Sequence, residues 1–497
     1  MIRSPVIPAT LSENDEVQNY VDGAWHTPSS DDGHAVVNPA TGEELAYLPF
    51  SDADDLDAAV AASNAAFEEW RQRAVEDRIQ PLFRLKQLLD ENIDDLAELL
   101  VREHGKTLDE ARGEIRRGIQ NVEVACGMPK MMQAGNLAHA APDIDESAVR
   151  EPLGTFVGIT PFNFPAMISL WFLPHAVATG NSFILKPSEQ DPLVTQRIFE
   201  LVDEAGFPDG VVQLVHGGPD TVNAILEHDG IEGVSFVGST PIARHIYETA
   251  AANGKRVQAQ GGAKNHIIVT ESADLEYAAE KTVSSACACA GERCLSNDVM
   301  VVEDAVYDEF VDQMVEKTRA QTVGYGLDDG VDIGAIISEE HVETVRGYIE
   351  SGVEEGAELL VDGREVTVDD YDGNFVGPSL FSEVTPDMTI AREEHFGPIM
   401  GLTRVEDFDE AVEVVNKSEF GNAASLFTDS GHKANRFKHE VEAGNLGVNL
   451  GTAAPMAFFS FGGRKDSFFG DLHAQGQDMV NFYTDKMSYI ERWPNQE

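Results

Sequence analysis

From Pro81 to His104, Leu82, Leu85, Leu88, Leu89, Ile93, Leu96 and Leu100 recur at helical spacing, after a proline suited to a first turn and before Gly105. The pattern predicts one amphipathic helix. A second is predicted from Thr107, where Thr-Leu-Asp-Glu has the form of a capping box, toward Pro129. From residue 154 the period changes to short apolar runs, "GTFVGI", "SFILK", "VVQLV", "GVSFVG" and "HIIV", mostly separated by helix-like segments at 166–178, 192–205, 219–229 and 241–253. Strands alternating with helices predict right-handed βαβ units around a buried parallel sheet. A second, less regular alternation runs from about 298 to 450, and the polar, proline-containing stretch 132–152 reads as a linker or a protruding hairpin. Internal repeats and low-complexity tracts are not evident.

Composition adds scale and surroundings. A chain of 497 residues is long enough for several domains and a large core, and its apolar fraction of 42% is that of a folded protein. The formal charge of −52 changes the picture more. Such a surface repels itself in dilute buffer, whereas salt near 1 M shortens the Debye length to about 3 Å, which points to a salt-rich cytoplasm. An acidic protein in ordinary salt is the plainer alternative. No basic stripe is available to neutralise phosphates, which argues against nucleic acid as a partner. The N-terminal "MIRSPVIPATLSENDEVQNY" lacks an apolar core of signal-peptide length, and no run approaches a membrane span, so a cytoplasmic location is expected. Four cysteines in so long a chain give no disulfide framework.

Three of those cysteines crowd into "CACAGERC", residues 287–294. The spacing matches no common zinc pattern, and no metal is expected. Cys287 and Cys289 fit small buried packing positions. Cys294 follows a charged Gly-Glu-Arg break, and Arg293 beside it is a cation able to raise its thiolate fraction; the residues alone leave an inert core cysteine and a nucleophile both open. In "GVSFVGSTPIARHIYETA" a strand ends at Gly238, Ser239 and Thr240 can cap, and a helix starts with Pro241. Free N–H groups there suit a phosphate, but G-x-G-x-x-G is absent and a merely tight turn explains the pattern equally. Lys186, with Glu189 three residues on, stands where dinucleotide folds often carry an acid for the ribose.

"YVDGAW", "PFNFP", "ILKPSEQDPL", "FVGST", "GERC", "EEHFGPI", "GNLGVN" and "SFGGRKDSFFGDLH" follow one another in an order and rough spacing that resemble the NAD-dependent aldehyde dehydrogenase superfamily over residues 18 to 493. The resemblance implies an α/β fold: a Rossmann-type dinucleotide-binding domain (1–131 and 153–262), an α/β catalytic domain (263–470), and a β-strand oligomerisation arm (132–152 and 471–497) that pairs subunits, with a homotetramer expected. It implies that Cys294 is the nucleophile and that Asn163 forms an oxyanion hole with the Cys294 backbone N–H. It also assigns Thr160, Phe162, Lys186, Glu189, Gly238, Ser239, Glu394 and Phe396 to NAD.

Hydrolytic relatives carry a Glu that activates water just before a Gly-Gly turn. Here the turn reads Gln258-Ala259-Gln260-Gly261-Gly262, with Ala259 expected at the Glu position and Gln260 where the subfamily usually has Leu. General-base catalysis is typically worth about 10²–10⁴-fold, so its loss calls for another acyl acceptor. The segment "FVGSTPIARHIYETAAANGKRVQAQGGAKNH" resembles the CoA-acylating methylmalonate-semialdehyde dehydrogenases, which use coenzyme A. That resemblance implies malonate or methylmalonate semialdehyde as substrate, a thioester on Cys294, loss of CO₂, and acetyl-CoA or propionyl-CoA as product. It also implies that Arg117 and Arg293 anchor the substrate carboxylate. A helical wheel alone places Arg117 opposite the stripe Ala111, Ile115, Gly118 and Val122, on the surface. Two other readings stand beside this one: a hydrolytic enzyme for another semialdehyde such as succinate semialdehyde, and a catalytically silent protein of the same fold.

Overall fold

A computed structural model describes residues 17–30 and 32–493. Much of the N-terminal stretch read for a signal peptide, and the outer ends of the expected units 1–131 and 471–497, lie outside the described residues.

All five runs of the first predicted alternation form strands, but they divide between two sheets: "HIIV" becomes Asn265–Val269 in the second, and Arg256–Gln260, which is not among the predicted runs, takes its place in the first. Thr155–Ile159, Ser182–Lys186, Val212–Leu214, Gly233–Val237 and Arg256–Gln260 run parallel within an eight-stranded sheet. The hairpin Asn19–Val21/Ala24–His26 extends one edge, and the antiparallel strand Phe468–Gly470 extends the other. Helices Pro165–Thr179, Leu193–Ala205, Pro219–Glu227 and Thr240–Ala252 match the predicted crossovers closely. Their cores differ by face: Val157, Ile159, Val234, Phe236 and Ala259 pack with Ile246 on one side of the sheet, and Phe156, Phe183 and Val237 pack with Phe172 and Leu170 on the other. Helices on both faces explain why these strands are continuous apolar runs.

The single helix expected over 81–104 is two, Gln80–Glu91 and Ile93–His104. Asn92 departs from helical geometry (φ −112°, ψ 14°) and turns its side-chain amide onto Leu88 O at 2.8 Å. The apolar period survives the break because both pieces lie on the same core. The capping box at Thr107 and Glu110 forms as its sequence requires, opening Leu108–Cys126.

A seven-stranded sheet, parallel except at one edge, contains Asn265–Val269, Asn297–Glu303, Ile399–Val405 and Ala423–Phe427. Residues 132–152 resolve as the hairpin reading: Asn136–Ala141 and Ile144–Pro152 form a three-stranded antiparallel sheet with Thr484–Glu491. Among the described residues no helix is long and apolar enough to cross a membrane, and all four cysteines are free thiols.

Candidate active site

The parallel strands of the first sheet end at a cleft of about 710 Å³ whose far wall belongs to the second sheet. Thr160, Phe162, Lys186, Glu189, Gly238 and Ser239 line it from the first side, and Glu394 and Phe396 from the second, with Asn163 and Cys294 at the same cleft. Crevices at strand C-termini are where open α/β sheets take ligands.

On the first wall the backbone does most of the work. Ser239 is the N-cap of Thr240–Ala252, yet its hydroxyl makes no capping bond, so the helix opens toward the cleft with unsatisfied donors. Thr240 is committed elsewhere: its hydroxyl donates to Asp466 O and accepts from Gly262 N. Thr160 Oγ1 is buried without a partner among the described residues. Lys186 Nζ meets Glu189 Oε2 at 3.1 Å; burial opposes the Glu189 charge, but the Lys186 ammonium prevails and holds the carboxyl below its usual range.

The second wall is built from side chains. Cys294 is half-buried, with its carbonyl pinned by Asn265 Nδ2 (2.9 Å) and Asn422 Nδ2 (2.7 Å). The chain reaches it through Cys289, Ala290 and Gly291, all with positive φ (52°, 52° and 80°). Gly291 is required twice over, since an added Cβ would collide with the Gly397 carbonyl. Two non-glycine residues in left-handed geometry cost about 1–2 kcal/mol each, strain that the surrounding contacts must hold. Burial pushes the Cys294 thiol up to about 11, although Arg293 pulls it down. The cation acts in the direction its sequence position suggests; burial outweighs it. Cys287 and Cys289 are buried packing residues, their thiols pushed up to about 12 by burial.

Asn163 donates Nδ2 to Glu292 O at 3.0 Å, which fixes the amide and leaves its second hydrogen uncommitted. Its own carbonyl accepts from Lys106 Nζ at 2.7 Å. Lys106 in turn pairs with Glu114 at 2.5 Å, both side chains fully buried, and Glu114 Oε1 accepts from Ala166 N and Met167 N. Sequence reasoning missed this support. The only signal was a lysine and a glutamate flanked by core residues, and pattern cannot pair positions 8 residues apart across a helix start.

Ala259 is not the residue facing the nucleophile. Strand alternation sends its side chain to the Phe236–Ile246 core, beneath Thr240–Ala252. Gln260, in register with Val237, falls on the opposite face, where Val237 shares a cluster with Leu295 and Cys294. Gln260 is 6% exposed, and its Nε2 has no partner among the described residues.

Arg117 and Arg293 do not line the cleft itself, though the charge of one acts on the other. Burial first, then the Arg293 charge, lowers the Arg117 guanidinium below its usual range. The surface position suggested by the helical wheel is covered by the C-terminal segment: Arg117 donates to Pro455 O and Gln120 Oε1 and contacts Met456 Sδ. Among the described residues neither guanidinium forms an ion pair.

A cysteine in a strained turn, an amide donor beside it and a nucleotide-sized cleft define a class, and the chain belongs to the aldehyde dehydrogenase family, whose model matches residues 25–488. The chain is 49% identical over 477 residues to malonate-semialdehyde dehydrogenase 2 of Bacillus mycoides (strain KBAB4), covering 96% of this chain and 99% of that one. It superimposes on the crystal structure of methylmalonate-semialdehyde dehydrogenase from Oceanimonas doudoroffii with a TM-score of 0.95, 42% identity, and 97% and 99% of the two chains covered. Against the NAD⁺ complex of an aldehyde dehydrogenase from Bacillus cereus the TM-score is 0.92, at 30% identity over 96% and 97% of the chains.

Proposed function

We propose that this chain is an NAD-dependent malonate- or methylmalonate-semialdehyde dehydrogenase that passes its acyl group to coenzyme A. The observation that carries the reading is Cys294 and Asn163 at one cleft, with Ala259 and Gln260 rather than a carboxylate before the Gly261-Gly262 turn.

The donor set fits NAD. The free N-terminus of Thr240–Ala252 with Ser239 suits its pyrophosphate, and Lys186, Glu189 and Glu394 suit ribose hydroxyls. The unpartnered Thr160 Oγ1 and the ring of Phe396 suit the nicotinamide end. Bound there, NAD⁺ supplies the hydride acceptor. The chain's own residues do the rest. The Cys294 thiolate attacks the aldehyde carbon, and the oxyanion formed is met by the free Asn163 N–H and the Cys294 backbone N–H; losing one such donor typically costs about 3 kcal/mol of barrier. Arg117 and Arg293, which form no ion pair among the described residues and flank rather than line the cleft, hold the substrate carboxylate. Once a thioester stands on Cys294, CO₂ leaves with its bonding electrons flowing into the thioester carbonyl, where the same donors hold the enolate oxygen until carbon takes a proton. The CoA thiol then attacks, its proton and the acyl group exchange places, and the Cys294 thiol is regenerated. A thiol is several units more acidic than water and needs no base at position 260.

Units 1–131 with 153–262, and 263–470, carry these two walls, and 132–152 with 471–497 pairs subunits in a homotetramer. The exposed Met487, Tyr489 and Ile490 on Thr484–Glu491 support that arm. The formal net charge of −52 supports a salt-rich cytoplasm as its location. One observation favours hydrolysis instead: burial lifts Glu394, in the same cleft as Cys294, to about 7, suited to a general base. Substrate and NAD⁺ supplied with and without CoA, with the acyl product read by mass spectrometry, decide between them. Acyl-CoA and CO₂ support transfer to CoA; equal turnover to a free dicarboxylate without CoA defeats it.

A further inference from the structure

Behind the second wall three ionisable side chains meet with almost no solvent. Lys264 Nζ lies 2.9 Å from Asp298 Oδ2, His395 Nε2 lies 3.1 Å from the same oxygen, and the three side chains are 0%, 9% and 2% exposed. They join three segments of the site. Lys264 follows Ala263, whose N–H donates to Glu394 Oε1 at 2.8 Å. His395 follows Glu394 directly. Asp298 lies four residues beyond Cys294, at the start of Asn297–Glu303. The Glu394 loop is not at rest by itself, since Phe396 has φ 51° and its carbonyl is tied to His341 Nε2 at 2.8 Å. Glu394 is thus held from both sides by residues adjacent to one buried cluster. Three buried ionisable groups beside a ligand cleft are costly unless they are paired, and pairing alone explains neither their meeting at Glu394 nor the third member.

We propose that Lys264, Asp298 and His395 are positioning residues that hold the Glu394 carboxylate at the cofactor side of the cleft, the lysine and aspartate acting on it with opposite electrostatic sign. The proposal rests on the dinucleotide reading of this cleft. Asp298 disfavours the Glu394 charge and Lys264 favours it. His395 is kept neutral by burial and by Lys264, so it contributes contact rather than charge. The other titratable groups facing this corner are Cys294, which Glu394 influences, His341 on the Phe396 carbonyl, and Tyr348, whose hydroxyl donates to Glu393.

The test is NAD⁺ binding without turnover, read by quenching of tryptophan fluorescence between pH 5.5 and 8.5. Wild-type affinity is expected to strengthen as pH rises through about 7, as Glu394 ionises and its hydrogen bonds to hydroxyls become charge-assisted. Asp298→Asn removes the opposing charge, so the midpoint moves to lower pH; Lys264→Met removes the favouring one, so it moves to higher pH, each by about half a unit or more. His395→Leu keeps the ion pair, and with it the fold should either charge variant fail to refold; by changing the shape packed next to Glu394 it weakens NAD⁺ binding about fivefold with the midpoint unmoved. Shifts in the same direction, no shift in either charge variant, or wild-type affinity in His395→Leu would overturn the proposal. Wild-type protein that fails to bind NAD⁺ at any pH would instead remove the dinucleotide reading beneath it.

Discussion

The two walls of the cleft are built on different principles. The first presents a helix N-terminus, strand ends and glycine turns, and its one prominent ion pair, Lys186–Glu189, is local in sequence. The second presents a thiol, a carboxylate and a Lys–Asp–His cluster gathered from residues 264 to 395. A backbone wall binds by geometry that a few short motifs specify. A wall of buried ionisable groups binds by charges that the low-dielectric interior makes strong and that distant segments must balance. Substitutions on the second wall should accordingly reach further.

The largest effect is expected at the nucleophile. Cys294→Ala should cut NADH formation below about one part in 10⁴ while NAD⁺ still quenches fluorescence, because the backbone wall is untouched; unimpaired NADH production would end the assignment. Next comes Glu114→Ala, which strands the buried Lys106 ammonium and should cost about 3–5 kcal/mol in denaturant unfolding. The exposed pair Arg436–Glu440 gives the contrast, with Glu440→Gln expected to leave the denaturant midpoint unchanged.

Gln260→Glu puts a carboxylate before the Gly261-Gly262 turn and should create CoA-independent release of free acid, about 10²-fold above the parent, as a general base for water. Ala259→Glu should not, because its side chain enters the Phe236 core and destabilises the fold instead. The pair separates the two positions cleanly by product analysis. A smaller effect is expected where the walls touch: Gly262→Ala drives a methyl into Glu394 Oε2 and should raise KM for NAD⁺ about tenfold with little change in kcat. The smallest is a rate of alkylation. With the thiol at about 11, iodoacetamide labelling of Cys294 in the cofactor-free enzyme should rise about tenfold per pH unit between 7 and 10. Arg293→Met removes the lowering charge, raises the pKa further and slows labelling at pH 8, which peptide mapping can follow separately from Cys287 and Cys289.

Much of the backbone wall was legible in advance. Strand runs and crossover helices landed within a residue or two, because apolar period and proline or glycine punctuation are local properties. The ten residues that family resemblance assigned to catalysis and cofactor all line one cleft. What escaped was pairing. Lys106 with Glu114, Asn265 and Asn422 on the Cys294 carbonyl, and the Lys264–Asp298–His395 cluster join segments whose separation in sequence carries no periodic signal. Arg117 escaped for a related reason: a helical wheel ranks faces of one helix and cannot see the Pro455–Met456 segment arriving from elsewhere.

By itself, then, the sequence determined the alternation of strands and helices, the turn that opens a helix at Ser239, the acidic surface and the presence of one thiol set apart from its neighbours. Only the tertiary structure decided that burial outweighs Arg293 at that thiol, that Ala259 packs into the Phe236–Ile246 core, and which buried charges balance which. Periodicity and capping act over a few residues and are written along the chain. Desolvation, facing and charge balance depend on what surrounds an atom in three dimensions, and exist only once the two sheets have closed on the cleft.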